Sequence, residues 1–216
     1  MAKKVKLTRP ELKRYRDALA RFERYLPMLK LKQQQLQMAV RDANRKVRAA
    51  GEAVDAARGR FEPYRAVLAD RAGVNVPGLA EPAEVRQSTL NVAGVNVPVF
   101  DGVEFPPIAY SLFATPAWVD RTLADLREVN RRRSELEVLT RQQALLQREL
   151  TKISQRVSLF EKVKIPEALE AIRVIRIKLG DEMAAAVGRA KIAKAKIARA
   201  SAFEEPSRRS DERGIG

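Results

Sequence analysis

The side chains able to do acid–base or nucleophilic chemistry are few. Among 216 residues there is no cysteine and no histidine. That excludes a thiolate nucleophile, a disulfide framework, a Ser–His–Asp triad, an imidazole base and the common zinc centres. The middle of the chain carries four carboxylates, Glu81, Glu84, Asp101 and Glu104. A close pair of them could act as acid and base, but a solvated surface explains them more simply. Glu135 and Glu137 stand two apart on a helical stretch and do not face each other. Nothing matches GxxxxGK[ST] or GxGxxG, so no phosphate-binding loop is expected. These residues predict no catalytic residues, no cofactor, no metal site and no small-molecule ligand.

The remaining chemistry is charge. Lys and Arg number 42 and Asp and Glu 27, a formal net charge of +15. Arg131, Arg132 and Arg133, and the set Arg189, Lys191, Lys194, Lys196 and Arg199, could track phosphates. Stacking aromatics are not interleaved with them, and no DNA-binding motif is visible. A solvated helix face, or one turned to an acidic protein, is the plainer reading, and nucleic acid is disfavoured. No apolar run approaches the roughly 18 residues of a membrane span. The basic start, Met1 to Lys6, is followed by no apolar stretch, so no signal peptide is expected. The lack of cysteine fits a cytoplasmic protein.

The elements that carry this charge follow from periodicity. Residues 1–70 hold 18 basic and 8 acidic residues, 71–115 hold 2 and 4, and 116–216 hold 22 and 15. The flanks are rich in strong helix formers, whereas most of the prolines fall between Pro77 and Pro116. Stepping alternately three and four from Leu12 gives Tyr15, Leu19, Phe22, Leu26, Leu29, Gln33, Leu36, Val40, Ala43, Val47, Ala50, Val54, Ala57, Phe61, Tyr64 and Leu68. Only Gln33 breaks this apolar seam, which predicts a left-handed coiled coil. Thr8, ahead of Pro10 and Glu11, marks its start. Pro27 and Pro63 are expected to kink it. The second flank opens at Thr115-Pro116. Its seam runs through Leu146, Leu150, Ile153, Val157 and Phe160, and resumes after a bend at Pro166 with Leu169, Ile172, Ile175, Leu179, Met183 and Val187. Gly180 and Gly188 weaken it further on. Two such seams around a compact insert predict an antiparallel pair. With Leu68 beside Trp118, Leu12 falls near Ile172 or Val174, and the second helix outruns the first at its basic end.

The fold class is therefore mainly α. A long antiparallel two-helix coiled coil is built from the N-terminal helix (1–70) and the C-terminal helix (116–203). Between them lies a Pro/Gly-rich insert (71–115), and a flexible tail (204–216) follows. Within the insert, Val85–Val92 partly alternates and Val95–Phe100 alternates more clearly, around Ala93-Gly94, which predicts a β-hairpin over about 83–105. Pro98 suits an edge strand. Ala-Gly-Val-Asn-Val-Pro occurs at both 72–77 and 93–98. One repeat is no array, and chance reuse of a turn-then-strand phrase accounts for it.

Four segments resemble the D subunit, the central stalk subunit, of V-type (A/V-type) rotary ATPases. Leu7-Thr8-Arg9-Pro10-Glu11-Leu12 is similar to that family's opening Pro-Thr-Arg-x-x-Leu. Leu29-Lys30-Leu31-Lys32-Gln33-Gln34-Gln35-Leu36 is similar to its Leu-Lys-x-Lys-Arg-x-x-Leu. Leu90 to Pro98 resembles its Asn-x-x-Gly-Val-x-Val-Pro hairpin. Arg156, Val157, Leu159 and Glu161, followed by Ile165 and Pro166, resemble its Arg-Val-Asn-x-Leu-Glu…Ile-Pro. The resemblance spans about 7–200. Leu7, Gln33, Gln34 and Ser158 depart from the usual residues.

This resemblance implies a non-catalytic rotor axle in the soluble sector, peripheral to the membrane. Catalysis would belong to the A and B subunits around it. Its partners would be that A/B hexamer, the small F stalk subunit and the socket subunit over the proteolipid ring. Ion transport would be coupled to ATP synthesis or hydrolysis through its rotation. Charge and position then single out Lys13, Arg16, Arg189 and Lys196 as hexamer contacts. Gly94, Val95, Val97, Val99 and Phe100 are expected at the hairpin and foot, toward the F stalk subunit or the socket. The alternative is a basic coiled-coil nucleic-acid-binding or scaffold protein.

Overall fold

The computed structural model describes residues 5–60, 73–108, 110 and 115–211, with side chains to residue 200. Its elements in chain order are helix α1 (Arg9–Gly59), short helix α2 (Val76–Ala80), strands β1 (Glu84–Val92) and β2 (Val95–Glu104), helix α3 (Trp118–Leu159), a π-helical turn (Phe160–Lys164) and helix α4 (Ile165–Asp211). The class is mainly α with one antiparallel hairpin, as the periodicity predicts. Two compact units divide the chain. One comprises residues 1–26 and 158–216, the other 27–157.

In the 27–157 unit, α1 and α3 run antiparallel. Gln33 Nε2 donates to Ser154 Oγ at 3.0 Å, and Gln143 Nε2 donates to Asn44 Oδ1 at 2.7 Å, so partners recede along α3 as α1 advances. The expected register would place Gln33 opposite residue 153, one residue from its observed partner. Leu36, Val40, Ala43, Val54 and Ala57 are buried on α1, and Val138, Leu146, Ile153 and Val157 on α3. These seam positions meet because an apolar stripe of period 3.5 must find another apolar stripe. Phe61, Pro63, Tyr64 and Leu68 lie outside the described residues.

The insert forms a foot and a hairpin. Val76 and Ala80 of α2 are buried with Val119 and Leu123 of α3, and Leu79, Tyr110, Trp118 and Leu126 pack around them. Helix α2 is an addition to the expected elements. Asn75 caps it by accepting from Gly78 N at 3.1 Å, with proline in its first turn, the usual chemistry of a helix start. The repeated phrase therefore folds two ways: its first copy leads into α2, its second into β2. The strands pair from Val92↔Val95 to Glu84↔Glu104, with a bulge between Arg86 and Gln87. Val95 and Val97 are buried and Asn96 is exposed, whereas β1 is exposed along most of its length.

In the other unit, the first turns of α1 lie beside α4. The Phe22 and Phe160 rings meet at a centroid distance of 5.1 Å. Ala168, Ala171, Ile172 and Ile175 are buried. Leu169, expected on the seam, is instead 51 % exposed, and Ala168 takes the inward place. The π-helical turn explains this change. It fits an extra residue into one turn, so inward positions step by four at Phe160, Lys164 and Ala168 where the seam had alternated three and four. Pro166 accounts for the turn in its own right. It has no N–H to donate and its ring crowds the carbonyl four residues back. The Ile165 N–H reaches back instead to the Phe160 carbonyl, five residues away. Met183 and Val187, also expected on the seam, are exposed. No residue from 181 to 200 is even half-buried, because α1 starts only at Arg9. Helix α4 continues to Asp211, past the boundary expected at 203. The chain there still holds helix formers, and Pro206 removes only one backbone donor.

Candidate partner-binding surfaces

The hairpin tip is shaped by its backbone. Ala93 and Gly94 both take positive φ, 51° and 77°. That is the pattern of a two-residue type I′ turn, whose twist matches the flanking strands. Asn91 fixes the turn. Its Oδ1 accepts from Gly94 N at 3.0 Å, and its Nδ2 donates to Asn96 Oδ1 at 2.7 Å. The tip lies against α1: a Cβ on Gly94 would stand 3.2 Å from Lys32 Nζ. Lys32 also acts on α3. With Lys152, whose hydrogen bond is the larger cause, it holds the Glu149 carboxyl below the ordinary carboxylate range.

Of the expected hairpin residues, Val97 is fully buried and Val95 nearly so within this chain alone, while Val99 and Phe100 are half-buried. Val95 and Val97 are thus covered by the protein's own residues. The surface left open is the outer strand, with Leu90 53 % exposed.

The foot is stitched by side chains that sequence reasoning missed. Arg127 donates through Nε to the Leu79 carbonyl at 3.1 Å and through Nη2 to the Pro106 carbonyl. Its guanidinium also lies 5.2 Å from the centre of the Phe105 ring. Asn130 Nδ2 donates to the Ala80 carbonyl at 2.7 Å. Arg127 and Asn130, three apart and so on one helix face, supply the donors that the irregular insert backbone lacks. That spacing was the available signal. Tyr110 donates to Asp120 Oδ1 at 2.6 Å, which raises the phenol above its ordinary value.

The basic positions are on the surface. Lys13 and Arg16 are exposed on α1, and Arg189 and Lys196 are exposed on α4. No carboxylate occurs between Glu182 and Glu204. Arg189, Lys191, Lys194, Lys196 and Arg199 follow one another at steps of two, three, two and three. Such steps carry the charges round the helix instead of gathering them on one face. Of the Arg131–Arg133 run, Arg132 is engaged by Glu128 at 2.9 Å and Glu135 at 3.3 Å. Glu137 pairs separately with Arg141, so the two glutamates do serve different partners. In the family-like segment, Val157 is buried, Ile165 is half-buried, and Arg156, Leu159, Glu161 and Pro166 are exposed.

Glu84 and Glu104 face each other across the ladder, but Asp101 and Glu104 are engaged by separate partners. Asp101 accepts from Ser88 Oγ at 3.0 Å, and Glu104 pairs with Arg86 at 3.4 Å. Among the described residues no group of three or more metal-ligating side chains comes together, and no helix is long and apolar enough to cross a membrane. What the described surfaces offer is contact: a charged helix end, an open strand and a stitched foot.

Comparison with known proteins bears on what those contacts are for. Residues 11–195 match the family of ATP synthase D subunits. The chain is 38 % identical over 194 residues to the V-type ATP synthase D subunit of Borreliella burgdorferi, covering 90 % of this chain and 95 % of that protein. It is 36 % identical over 200 residues to the protein of the same name from Chlamydia felis, covering 91 % and 95 %. For Chlamydia abortus the figures are 38 % over 203 residues, with 91 % and 95 % covered.

Proposed function

The chain belongs to the family of ATP synthase D subunits, and from that premise we propose that it is the central stalk of a V-type/A-type rotary ATPase. In this reading it is an axle without catalytic groups of its own. It transmits torque between a catalytic A/B hexamer and the ion-translocating ring. It works in the soluble sector, peripheral to the membrane, with the F stalk subunit and a socket subunit as further partners. The observation that carries the proposal is the bare basic end of α4, where charge encircles a helix that no other described residue covers.

The physics suits a rotor. A paired coiled coil resists bending better than one helix, and the Leu36, Leu146 and Ile153 seam supplies that stiffness. An axle must also turn past three similar sites without locking at one. Charges spread round α4 present a similar face at every angle to an acidic or dipolar bearing. Lys13, Arg16, Arg189 and Lys196 are the proposed hexamer contacts. The outer strand β1, paired with the strand that carries Val95 and Val97, is the proposed contact for the F stalk subunit or the socket, with Gly94, Val99 and Phe100 shaping its support.

The test is co-expression with the matching A, B and F subunits, followed by size exclusion and an ATPase assay. One copy of this chain should elute with an A/B hexamer and the F stalk subunit. A chain that elutes alone, or bound to nucleic acid, overturns the proposal. Reversing the charge of Arg189 and Lys196 together should change ATP-driven rotation and its salt dependence. Unchanged rotation removes those residues from the contact set.

A further inference from the structure

We infer that the π-helical turn Phe160–Lys164 is a torsional joint, at which α4 can change its rotational phase against the first turns of α1. Three observations converge on it. First, the helix there is already wound with one residue too many. The Ile165 N–H bonds to the Phe160 carbonyl, five residues back, and Pro166 offers no N–H at all. A π-turn and an α-turn differ by one residue of winding, so exchanging one hydrogen-bond partner re-phases everything beyond it.

Second, little packing holds the turn closed. None of Phe160 to Lys164 is buried; only Phe160 and Lys164 are half-buried. Third, there is room beside it. A groove of about 640 Å³ lies between Arg14, Tyr15, Ala18 and Phe22 of α1 and Lys164, Ala168 and Ala171. Ala18, Ala168 and Ala171 line it together with Tyr15, Phe22 and Val174, and the open volume leaves α4 space to roll there. The tilted Phe22–Phe160 pair, its planes 54° apart, marks the upstream edge of the joint. Pro166 keeps the defect in place, because the carbonyl it cannot bond is the one an unbroken α-helix would have needed.

The test is amide hydrogen exchange on the full chain. Amides of residues 161–165 should exchange at least about tenfold faster than those of Val157 and Ala171 on either side, since exchange reports local opening. Deleting Val163 removes the extra residue and should slow the segment to the rate of its flanks. Pro166→Ala restores a donor and should slow it in the same direction, which keeps the test decisive if the deletion variant does not fold. Line broadening of a fluorine-labelled Phe160 should fall in whichever variant slows. Exchange in the unaltered chain no faster than in the flanks overturns the joint. So does fast exchange that persists in both variants, since exposure alone would then explain it.

Discussion

Gln33 Nε2 donates to Ser154 Oγ across the α1–α3 interface at 3.0 Å, so the one polar residue of the N-terminal seam meets a hydroxyl on its partner helix. A polar pair in an apolar seam disfavours every register that would separate its members. Ser154→Ala leaves the half-buried amide without this partner and should cost about 1 kcal/mol in urea unfolding. Gln33→Leu combined with Ser154→Ala should recover most of that loss. A double-mutant cycle with no coupling would show the bond to be incidental.

The phase change at the π-helical turn makes a contrast between neighbours. Ile175 is fully buried and Leu169 is 51 % exposed. Ile175→Ala should cost about 2–5 kcal/mol, whereas Leu169→Ala should stay within about 0.5 kcal/mol. Equal losses in chemical denaturation would mean that Leu169 is on the seam after all.

At the hairpin tip the two turn residues should respond oppositely. Ala93 sits at φ 51°, so Ala93→Gly should relieve about 1 kcal/mol of left-handed strain. Gly94→Ala adds that strain and drives a methyl to 3.2 Å from Lys32 Nζ. Exchange of the Val95 amide should slow in the first variant and quicken in the second.

Arg127→Met keeps an apolar stem but removes the donors to the Leu79 and Pro106 carbonyls. The loss should be about 1–3 kcal/mol. Proteolysis should first cut near α2, with the α1–α3 pair still intact. Cleavage spread evenly along the chain would contradict the stitching role.

Two glutamates, Glu149 half-buried and Glu170 exposed, set an acid-side prediction. Hydrogen bonds from Lys152 and Arg173 lower Glu149 and Glu170 respectively. A lowered folded value means a contribution present above the unfolded glutamate value of about 4.3 and lost as pH falls through the folded one. Carboxyl NMR should find both midpoints below the ordinary glutamate range. Lys152→Met should raise the Glu149 midpoint and leave that of Glu170 unmoved.

Much of the fold was legible because it rests on periodicity. Leu36, Val40, Ala43, Val54 and Ala57 could be placed inward from spacing alone, since a coiled-coil seam repeats one physical condition. The hairpin was legible from Ala93-Gly94 between alternating strands. What escaped depended on single events. The π-helical turn leaves no periodic trace beyond Pro166, so Leu169 was misplaced. Helix α2 rests on one cap, and the same Gly-Val-Asn-Val-Pro phrase makes a strand elsewhere, where the pairing partner β1 is at hand. Arg127 looked like any surface arginine until the insert's open carbonyls were seen around it. The exposed basic positions were legible as charge, but charge alone does not say whether a surface is solvated or occupied.

The uncovered length of α4 bears on how the protein melts. Past Ile175 its helix is held by its own hydrogen bonds and by alanine-rich composition, with Leu179 the one half-buried residue among the described side chains. Helix of that kind frays from its end, whereas the seam unfolds as a block. Far-ultraviolet dichroism should therefore decline gradually before the sharp step seen by a probe at Trp118. The calorimetric enthalpy should exceed the van't Hoff value, and no single Tm will describe the isolated chain. An assembly that encloses α4 would merge the two processes into one.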